Sequence, residues 1–154
     1  MRYPVKPSER TILLVPLIAL FLAGAALAAG KGGADAVLGV WMDKERDAKI
    51  EIYRCADKYC GKIVWTKDGP ALDKKNPAPS LRGRRILGLK IMEGFHFAGG
   101  NKWTGGRLYD PKNGHTYSGE MVLVSPDRLR LKGYFLIPLF GKTTTWDRVK
   151  SGKT

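Results

Sequence analysis

The sequence predicts an all-β protein, an eight-stranded antiparallel up-and-down barrel preceded by an N-terminal signal peptide. After Val37, apolar and polar residues alternate with a period of two, which is typical of strands with one buried and one solvated face. Turn signals such as DPKNG and SPD separate the segments, and no segment resembles a long amphipathic helix. Eight sequential antiparallel strands can close into a barrel and so lose their exposed edges. A two-sheet sandwich is the alternative.

The chain begins with the features of a secretory signal peptide. Arg2, Lys6 and Arg10 form a basic start, an uncharged apolar run extends from Ile12 to Leu22, and Ala26-Leu27-Ala28 offers small residues for cleavage. Cleavage after Ala28 is therefore expected, with export to the periplasm. The alternative is an uncleaved segment that anchors the protein in the membrane.

The expected organisation is a signal peptide (1–28), a flexible N-terminus (29–37), one barrel domain (38–149) and a frayed tail (150–154). Cleavage lowers Lys+Arg from 27 to 24 and Asp+Glu from 14 to 13, so the mature charge is 24 − 13 = +11. Such a charge attracts anionic surfaces, here those of the cell envelope. Export and the dispersed charges argue against nucleic acid, and no stable membrane span is expected after cleavage.

Each strand is placed by its alternation and the turn that precedes it. The eight strands are expected to begin near Leu38, Lys49, Gly61, Ile86, Lys102, His115, Arg128 and Lys142. The connection from Thr66 to Arg85 is Pro-rich, basic and too long for a hairpin. It is interpreted as a lid or binding loop, or as a cover over one end of the barrel.

The two cysteines, Cys55 and Cys60, are expected to form a structural disulfide. Placing them opposite each other on the second and third strands pairs Ile52 with Ile63 and Ile50 with Trp65. These four apolar residues then share the inner face, while both sulfurs lie on the outer face. The spacing C-x-x-x-x-C in a hairpin differs from a redox C-x-x-C at a helix start, and two cysteines are too few for a metal site.

The ends of the barrel segment resemble the lipocalin signature. Gly39 and Trp41 form a Gly-x-Trp at the first strand, and Arg148 lies in the last strand. In lipocalin-type barrels the arginine lies across the tryptophan at the closed end, which implies the same contact here.

A second resemblance covers Gly39 to Arg148. It rests on the Gly39–Trp41 start and on five further motifs: CGKIVW (60–65), DKKNPAPSLRGRRILGL (73–89), WTGGRLYDPKNGHTY (103–117), LRLKGY (129–134) and GKTTTWDR (141–148). Together they are similar to an exported bacterial family, domain of unknown function 2147. The resemblance implies an envelope protein with a lipocalin-like barrel, and it supplies no catalytic residues.

No catalytic motif is present in the sequence, so a hydrolase-type enzyme is the third hypothesis and no cofactor or metal ion is expected. Glu93 and His96 fall on opposite faces of a strand, and His115 is interpreted as a solvated turn residue. Glu93 either points into an apolar interior or is rotated outward by a bulge at Gly88 or Gly94.

Binding of a small apolar or amphipathic ligand, with a lipid as one candidate, is the leading hypothesis. The candidate cavity residues are Ile50, Ile52, Ile63, Leu89, Ile91, Phe95, Leu129 and Leu131. The apolar run Tyr134, Phe135, Leu136, Ile137, Pro138, Leu139 and Phe140 is the candidate mouth, although a plug, a membrane contact or a protein interface would also fit. Arg82, Arg84 and Arg85 are candidate contacts for an anionic head group. The alternative is a structural or adaptor protein of the envelope.

We expect the protein recovered from the periplasm to begin at Ala29, which an intact-mass measurement checks directly. Ala28→Glu removes the small residue at the cleavage position and should leave the leader attached. A full-length mass for the unmodified exported chain would contradict this prediction.

Overall fold

The computed structural model describes residues 33–150. The predicted signal peptide, residues 29–32 and the tail 151–154 lie outside the described residues. The strands are β1 (Gly39–Met42), β2 (Ala48–Cys55), β3 (Lys58–Thr66), β4 (Lys90–Gly99), β5 (Lys102–Asp110), β6 (His115–Ser125), β7 (Arg128–Tyr134) and β8 (Lys142–Arg148). Three 3-10 helices span Ala34–Val37, Pro79–Leu81 and Pro138–Phe140.

The strands form a closed antiparallel barrel in chain order, and β1 pairs with β8 to complete it. The predicted fold class is confirmed, and the sandwich alternative is wrong. Four strands begin at the predicted residue, whereas β4 begins at Lys90 rather than near Ile86. Leu87 is therefore an exposed residue of the longer β3–β4 connection.

Up-and-down topology divides the connections between two ends of the barrel. The hairpins at 55–58, 99–102 and 125–128 lie at one end, together with the 3-10 helix Ala34–Val37; we call this the closed end. The connections 43–47, 67–89, 111–114 and 135–141 lie at the other, which we call the open end.

The segment Ala34–Val37, expected to be part of a flexible N-terminus, is instead an ordered cover of the closed end. Val37 is fully buried and belongs to the core. The indole Nε1 of Trp41 donates to the Val37 carbonyl at 2.9 Å, and that of Trp103 donates to the Ala34 carbonyl at 3.1 Å. Two buried indole N–H groups need acceptors, and this short helix supplies both.

Arg148 holds the closed end together. Its guanidinium lies 4.1 Å from the centroid of the buried Trp41 ring. It also donates to three carbonyls, those of Ala36 at 2.6 Å, Leu38 at 2.7 Å and Pro126 at 2.7 Å. One side chain therefore ties the N-terminal segment, the β6–β7 hairpin and the β1–β8 seam to one another.

Gly39 leaves the space that Arg148 occupies. Its backbone has φ +125°, which side chains rarely adopt, and a Cβ there would lie 2.9 Å from the Nη1 atom of Arg148. The Gly-x-Trp pair thus has a physical reason. Trp41 provides the ring that the Arg148 guanidinium contacts, and Gly39 has no side chain that would block the guanidinium.

The β2–β3 hairpin keeps its cysteines on the predicted face but does not keep the predicted register. Cys55 and Cys60 are bonded, with Cα atoms 5.9 Å apart, so the disulfide is confirmed. However, Cys60 pairs with Tyr53 rather than with Cys55. The turn has only two residues between the strands, with Ala56 in the left-handed region at φ +56°, and this shifts the register by two positions. A shift of two preserves parity, so the sulfurs remain on one face and bridge diagonally.

Trp65 does not join the core. A bulge between Lys49 and Ile50 pairs Trp65 with Lys49 and turns its ring outward, where it is 37% exposed. The Lys49 ammonium lies 5.0 Å from its centroid. Ile50, Ile52 and Ile63 remain buried as expected.

Glu93 points outward. Gly94 has φ +76°, and the Glu93 carboxylate pairs with Lys90 at 3.1 Å. The bulge alternative therefore describes this strand. Among residues 33–150, no helix has the length and apolar character needed to cross a membrane.

Arg148→Ala should lower the free energy of unfolding by about 2–4 kcal/mol, because it removes a cation–π contact and leaves three carbonyls without their charged donor. Arg148→Lys keeps the charge but cannot reach all three carbonyls, so it should also destabilise. Urea unfolding measures both.

Arg130→Ala is the matched control, since Arg130 is an exposed arginine on the neighbouring strand β7. Equal stability losses for the Arg130 and Arg148 variants would contradict the stabilising role of the Arg148 contacts.

Candidate functional site

A cavity of about 510 Å³ lies at the open end of the barrel. Its floor is apolar, and the lining side chains there are Ile50, Ile63, Ile91, Leu108, Leu131 and Trp146. Tyr109, Tyr117, Thr143 and Thr144 add hydroxyl groups to the lining. Charged residues from the loops line the entrance, namely Asp43, Lys44, Glu45, Asp110, Lys112 and Lys142.

Half of the predicted cavity residues line this space. Ile50, Ile63, Ile91 and Leu131 do, whereas Ile52, Phe95 and Leu129 are buried in the core and Leu89 is buried at the end of the long connection. Parity along a strand predicts which residues face inward, but it does not predict depth. The rest of the interior is filled, because large side chains such as Trp41, Trp103 and Met121 pack together there.

The entrance carries both signs of charge. The Lys112 ammonium pairs with Asp47 at 3.1 Å. Partial burial would lower the pKa of Lys112, but the hydrogen bond to Asp47 and the negative charges of Asp47, Asp43 and Glu45 outweigh burial and raise the pKa. Lys112 is therefore held charged at the entrance. Lys44 and Lys142 form no salt bridge within the described part of the chain.

The predicted mouth lies beside the cavity and does not line it. Only the strand ends on either side, Gly133 and Lys142, reach the cavity wall. The segment 135–140 is exposed throughout. Phe135 stacks on the cavity-lining ring of Tyr117, with centroids 4.7 Å apart, and also approaches the ring of His115. The segment is therefore not a plug.

The three arginines proposed for a head group do not line the cavity. The Arg84 guanidinium pairs with the buried carboxylate of Asp73 at 2.8 Å. The Arg82 Nε donates to the Asn76 carbonyl, and the Arg85 backbone bridges to Leu72. The side chains of Arg82 and Arg84 therefore add to the backbone hydrogen bonds that hold the long loop together.

Asp73 is the centre of a polar cluster that the sequence reasoning missed. Tyr109 donates its hydroxyl hydrogen to one carboxylate oxygen at 2.6 Å, and Asn76 donates to the other at 2.8 Å. Arg84 shares the second oxygen and lies 5.5 Å from the Tyr109 ring centroid. Asp73 and Asn76 lie in the DKKNP motif. Asp and Asn three residues apart in a Pro-rich loop could have indicated that their side chains bond within the loop.

The Asp73 cluster fixes the charge of its members. Burial would raise the pKa of the Asp73 carboxyl, but hydrogen bonds from its three donors outweigh burial and hold the pKa below its usual value. Burial and the adjacent carboxylate raise the pKa of Tyr109. Asp73 is thus ionised and Tyr109 neutral at neutral pH.

A close backbone contact seats the long loop on the β5–β6 turn. Gly114 has φ +77°, and a Cβ there would lie on the carbonyl oxygen of Lys75. Together with the Asp73–Tyr109 bond, this contact joins the 67–89 connection to strand β5 at the open end. The connection is a folded wall of the entrance rather than a loose lid.

A second polar cluster lies at the closed end. The Asp35 carboxylate accepts hydrogen bonds from Arg54 at 2.7 Å and from Tyr59 at 3.1 Å. The hydrogen bond from Arg54 lowers the pKa of Asp35 despite some desolvation. This cluster fastens the N-terminal 3-10 helix to the β2–β3 hairpin and has no access to the cavity.

The histidines do not form a shared site. His96 is exposed and hydrogen-bonded to Thr104, and His115 stacks on aromatic rings at the open end. Within residues 33–150, no group of three His, Cys, Asp or Glu residues is close enough to hold a metal ion.

A closed eight-stranded antiparallel barrel with one filled end and a cavity at the other defines a lipocalin-like protein. The chain belongs to the family described as "Uncharacterized protein conserved in bacteria (DUF2147)", whose model matches residues 39–148. This confirms the resemblance drawn from the sequence.

Among solved structures, the chain is similar to one titled "Protein HP1028 from the human pathogen Helicobacter pylori belongs to the lipocalin family". The two share 26% identity with a TM-score of 0.68, over 73% of this chain and 82% of that one. None of the curated proteins matches the sequence.

Asp73→Asn should destabilise the protein at pH 7 by about 2–4 kcal/mol, because it removes a buried charge from its hydrogen-bond donors and leaves Arg84 unpaired. The folded pKa of Asp73 is lowered, so its stabilisation is present above the unfolded pKa of about 3.9 and is lost as the pH falls through the folded pKa. The difference between the two proteins should therefore shrink in strongly acidic solution.

Thermal unfolding from pH 7 to pH 2 measures this difference, with Asp68→Asn, an exposed change in the same loop, as the control. A stability difference that is constant with pH would contradict the assignment.

Proposed function

We propose that this protein is an exported, non-catalytic bacterial barrel that binds one small amphipathic or apolar ligand, such as a lipid, in its open-end cavity. The observation that carries the proposal is the cavity of about 510 Å³, with its apolar floor and charged entrance. Ligand sites of this kind have volumes of about 300–1,000 Å³ and a few polar groups that orient the ligand. Eight-stranded barrels hold one small ligand when side chains do not fill them.

The order of the lining residues favours an amphipathic ligand. Its apolar part would contact the aliphatic floor around Ile50 and Leu131, where burial of apolar surface stabilises the complex. Its polar part would lie nearer the entrance, beside Tyr109 at the end of β5. At the entrance, Lys142 is a suitable partner for an anionic group, and it replaces the three loop arginines in that role.

The proposed location is the periplasm. The leader residues 1–28 support it, and so does the Cys55–Cys60 disulfide, since such bonds persist in oxidising compartments. The similarity to the Helicobacter pylori protein, whose title places it in the lipocalin family, supports ligand binding as the class of function.

Thr144→Trp should weaken binding of the fluorescent fatty acid cis-parinaric acid at least tenfold, because the larger side chain occupies the cavity. Thr144 lines the cavity on β8 opposite Leu131. Fluorescence titration measures the affinity.

Thr145→Trp is the matched control, since Thr145 is next to Thr144 in β8 but does not line the cavity. An unmodified protein that does not bind the probe, or equal affinities for the two variants, would refute the proposal. Native mass spectrometry of the protein taken from the periplasm then identifies the natural ligand.

A further inference from the structure

We propose that the open end docks onto the surface of an anionic lipid bilayer through the segment 135–140, which we call the apolar loop. This inference goes beyond ligand binding, because docking does not require an occupied cavity. It rests on the exposure of the loop, on the charges beside it and on its contact with the cavity wall.

The apolar loop exposes large side chains on an ordered backbone. Leu136, Leu139 and Phe140 are 97%, 78% and 79% exposed. The 3-10 helix Pro138–Phe140 and a bond from the Gly141 N–H to the Pro138 carbonyl define the loop. A contiguous exposed apolar patch of this kind marks an interaction site, whereas scattered apolar residues do not.

The charge beside the loop fits an anionic surface. Residues 129–146, which lead into and out of the loop, contain three basic residues, Arg130, Lys132 and Lys142, and no acidic residue. Lys132 and Lys142 lie on the two strands that carry the loop, with the Lys132 side chain against Gly141. Apolar side chains flanked by lysines are typical of segments that insert at the boundary between head groups and acyl chains.

The long connection adds positive charge on the other side of the entrance. Lys74, Lys75, Arg82 and Arg85 are exposed there. The acidic residues of the entrance are Asp43 and Glu45 on the β1–β2 connection and Asp110 at the end of β5. The 67–89 connection has six basic and two acidic residues, a net charge of 6 − 2 = +4, whereas 135–141 contains no charged residue and is flanked by Lys132 and Lys142 on its two strands. Basic residues near an anionic membrane strengthen binding roughly additively.

A second copy of the chain is a poorer occupant than a bilayer. Two open ends brought face to face would place their exposed lysines and arginines against each other, on molecules that each carry a net charge of 24 − 13 = +11 after cleavage. A bilayer that contains phosphatidylglycerol offers both the apolar interior and the opposite charge.

The loop is continuous with the wall of the cavity. Phe135 stacks on Tyr117, and Gly133 and Lys142 lie both at the ends of the loop-bearing strands and in the cavity wall. A docked protein would therefore open its cavity toward the acyl chains. An apolar ligand could enter from the bilayer without crossing water.

Sedimentation with vesicles tests the inference on the exported chain, after mass spectrometry has shown that the leader is absent. The unmodified chain should sediment with phosphatidylglycerol/phosphatidylethanolamine vesicles and not with phosphatidylcholine vesicles, and added salt should release it. Leu139→Ser/Phe140→Ser should reduce the bound fraction at least tenfold. Both side chains are solvent-exposed, so circular dichroism should show an unchanged fold.

Val124→Ser is the matched control, since Val124 is 48% exposed at the closed-end hairpin; it should leave sedimentation unchanged. The proposal is overturned if the chain does not sediment, if the double variant sediments as well as the unmodified chain, or if the double variant instead dissociates a dimer or a bound protein.

Binding of cis-parinaric acid in vesicle-free solution separates the two proposals. The double variant should retain it. A chain that sediments but does not bind the fatty acid refutes the cavity proposal alone, and a chain that binds the fatty acid but does not sediment refutes docking alone.

Discussion

The contact between Arg148 and Trp41 determines the two-ended design of this barrel. The guanidinium covers the indole ring and binds three carbonyls, and so it closes the β1–β8 seam and fixes the N-terminal 3-10 helix over the same end. With that end filled by large aromatic and aliphatic side chains, the remaining free volume collects at the opposite end. The cavity is thus a consequence of asymmetric filling rather than of a wider barrel.

The open end is organised by polar contacts among loops. Asp73 joins the long connection to β5 through Tyr109, and Gly114 allows Lys75 to approach the β5–β6 turn. These contacts give the entrance one ordered wall, while the apolar loop on the other side is exposed. An entrance with a fixed wall and an exposed apolar rim suits a ligand delivered from a surface.

Sequence reasoning reached the barrel because period-two alternation and turn chemistry are local properties, and they also placed Ile50, Ile63 and Leu131 inside. The register of the β2–β3 hairpin was missed because it depends on a two-residue turn with Ala56 in a left-handed conformation. Alanine rarely adopts this conformation, so its presence does not predict such a turn. The Asp73–Tyr109 bond joins residues 36 positions apart, so no local pattern could reveal it. For the same reason, depth within the barrel could not be read from parity.

The ordered helix Ala34–Val37 also has a consequence for the proposed export of the protein. Only five residues separate Ala28 from Ala34, and the six steps between these two residues span at most about 20 Å. A leader left in the membrane would therefore tether the closed end against the bilayer and turn the entrance toward the aqueous side. Removal of the leader would release the barrel to present either end, and proteolytic processing would then decide which face of the molecule meets lipid.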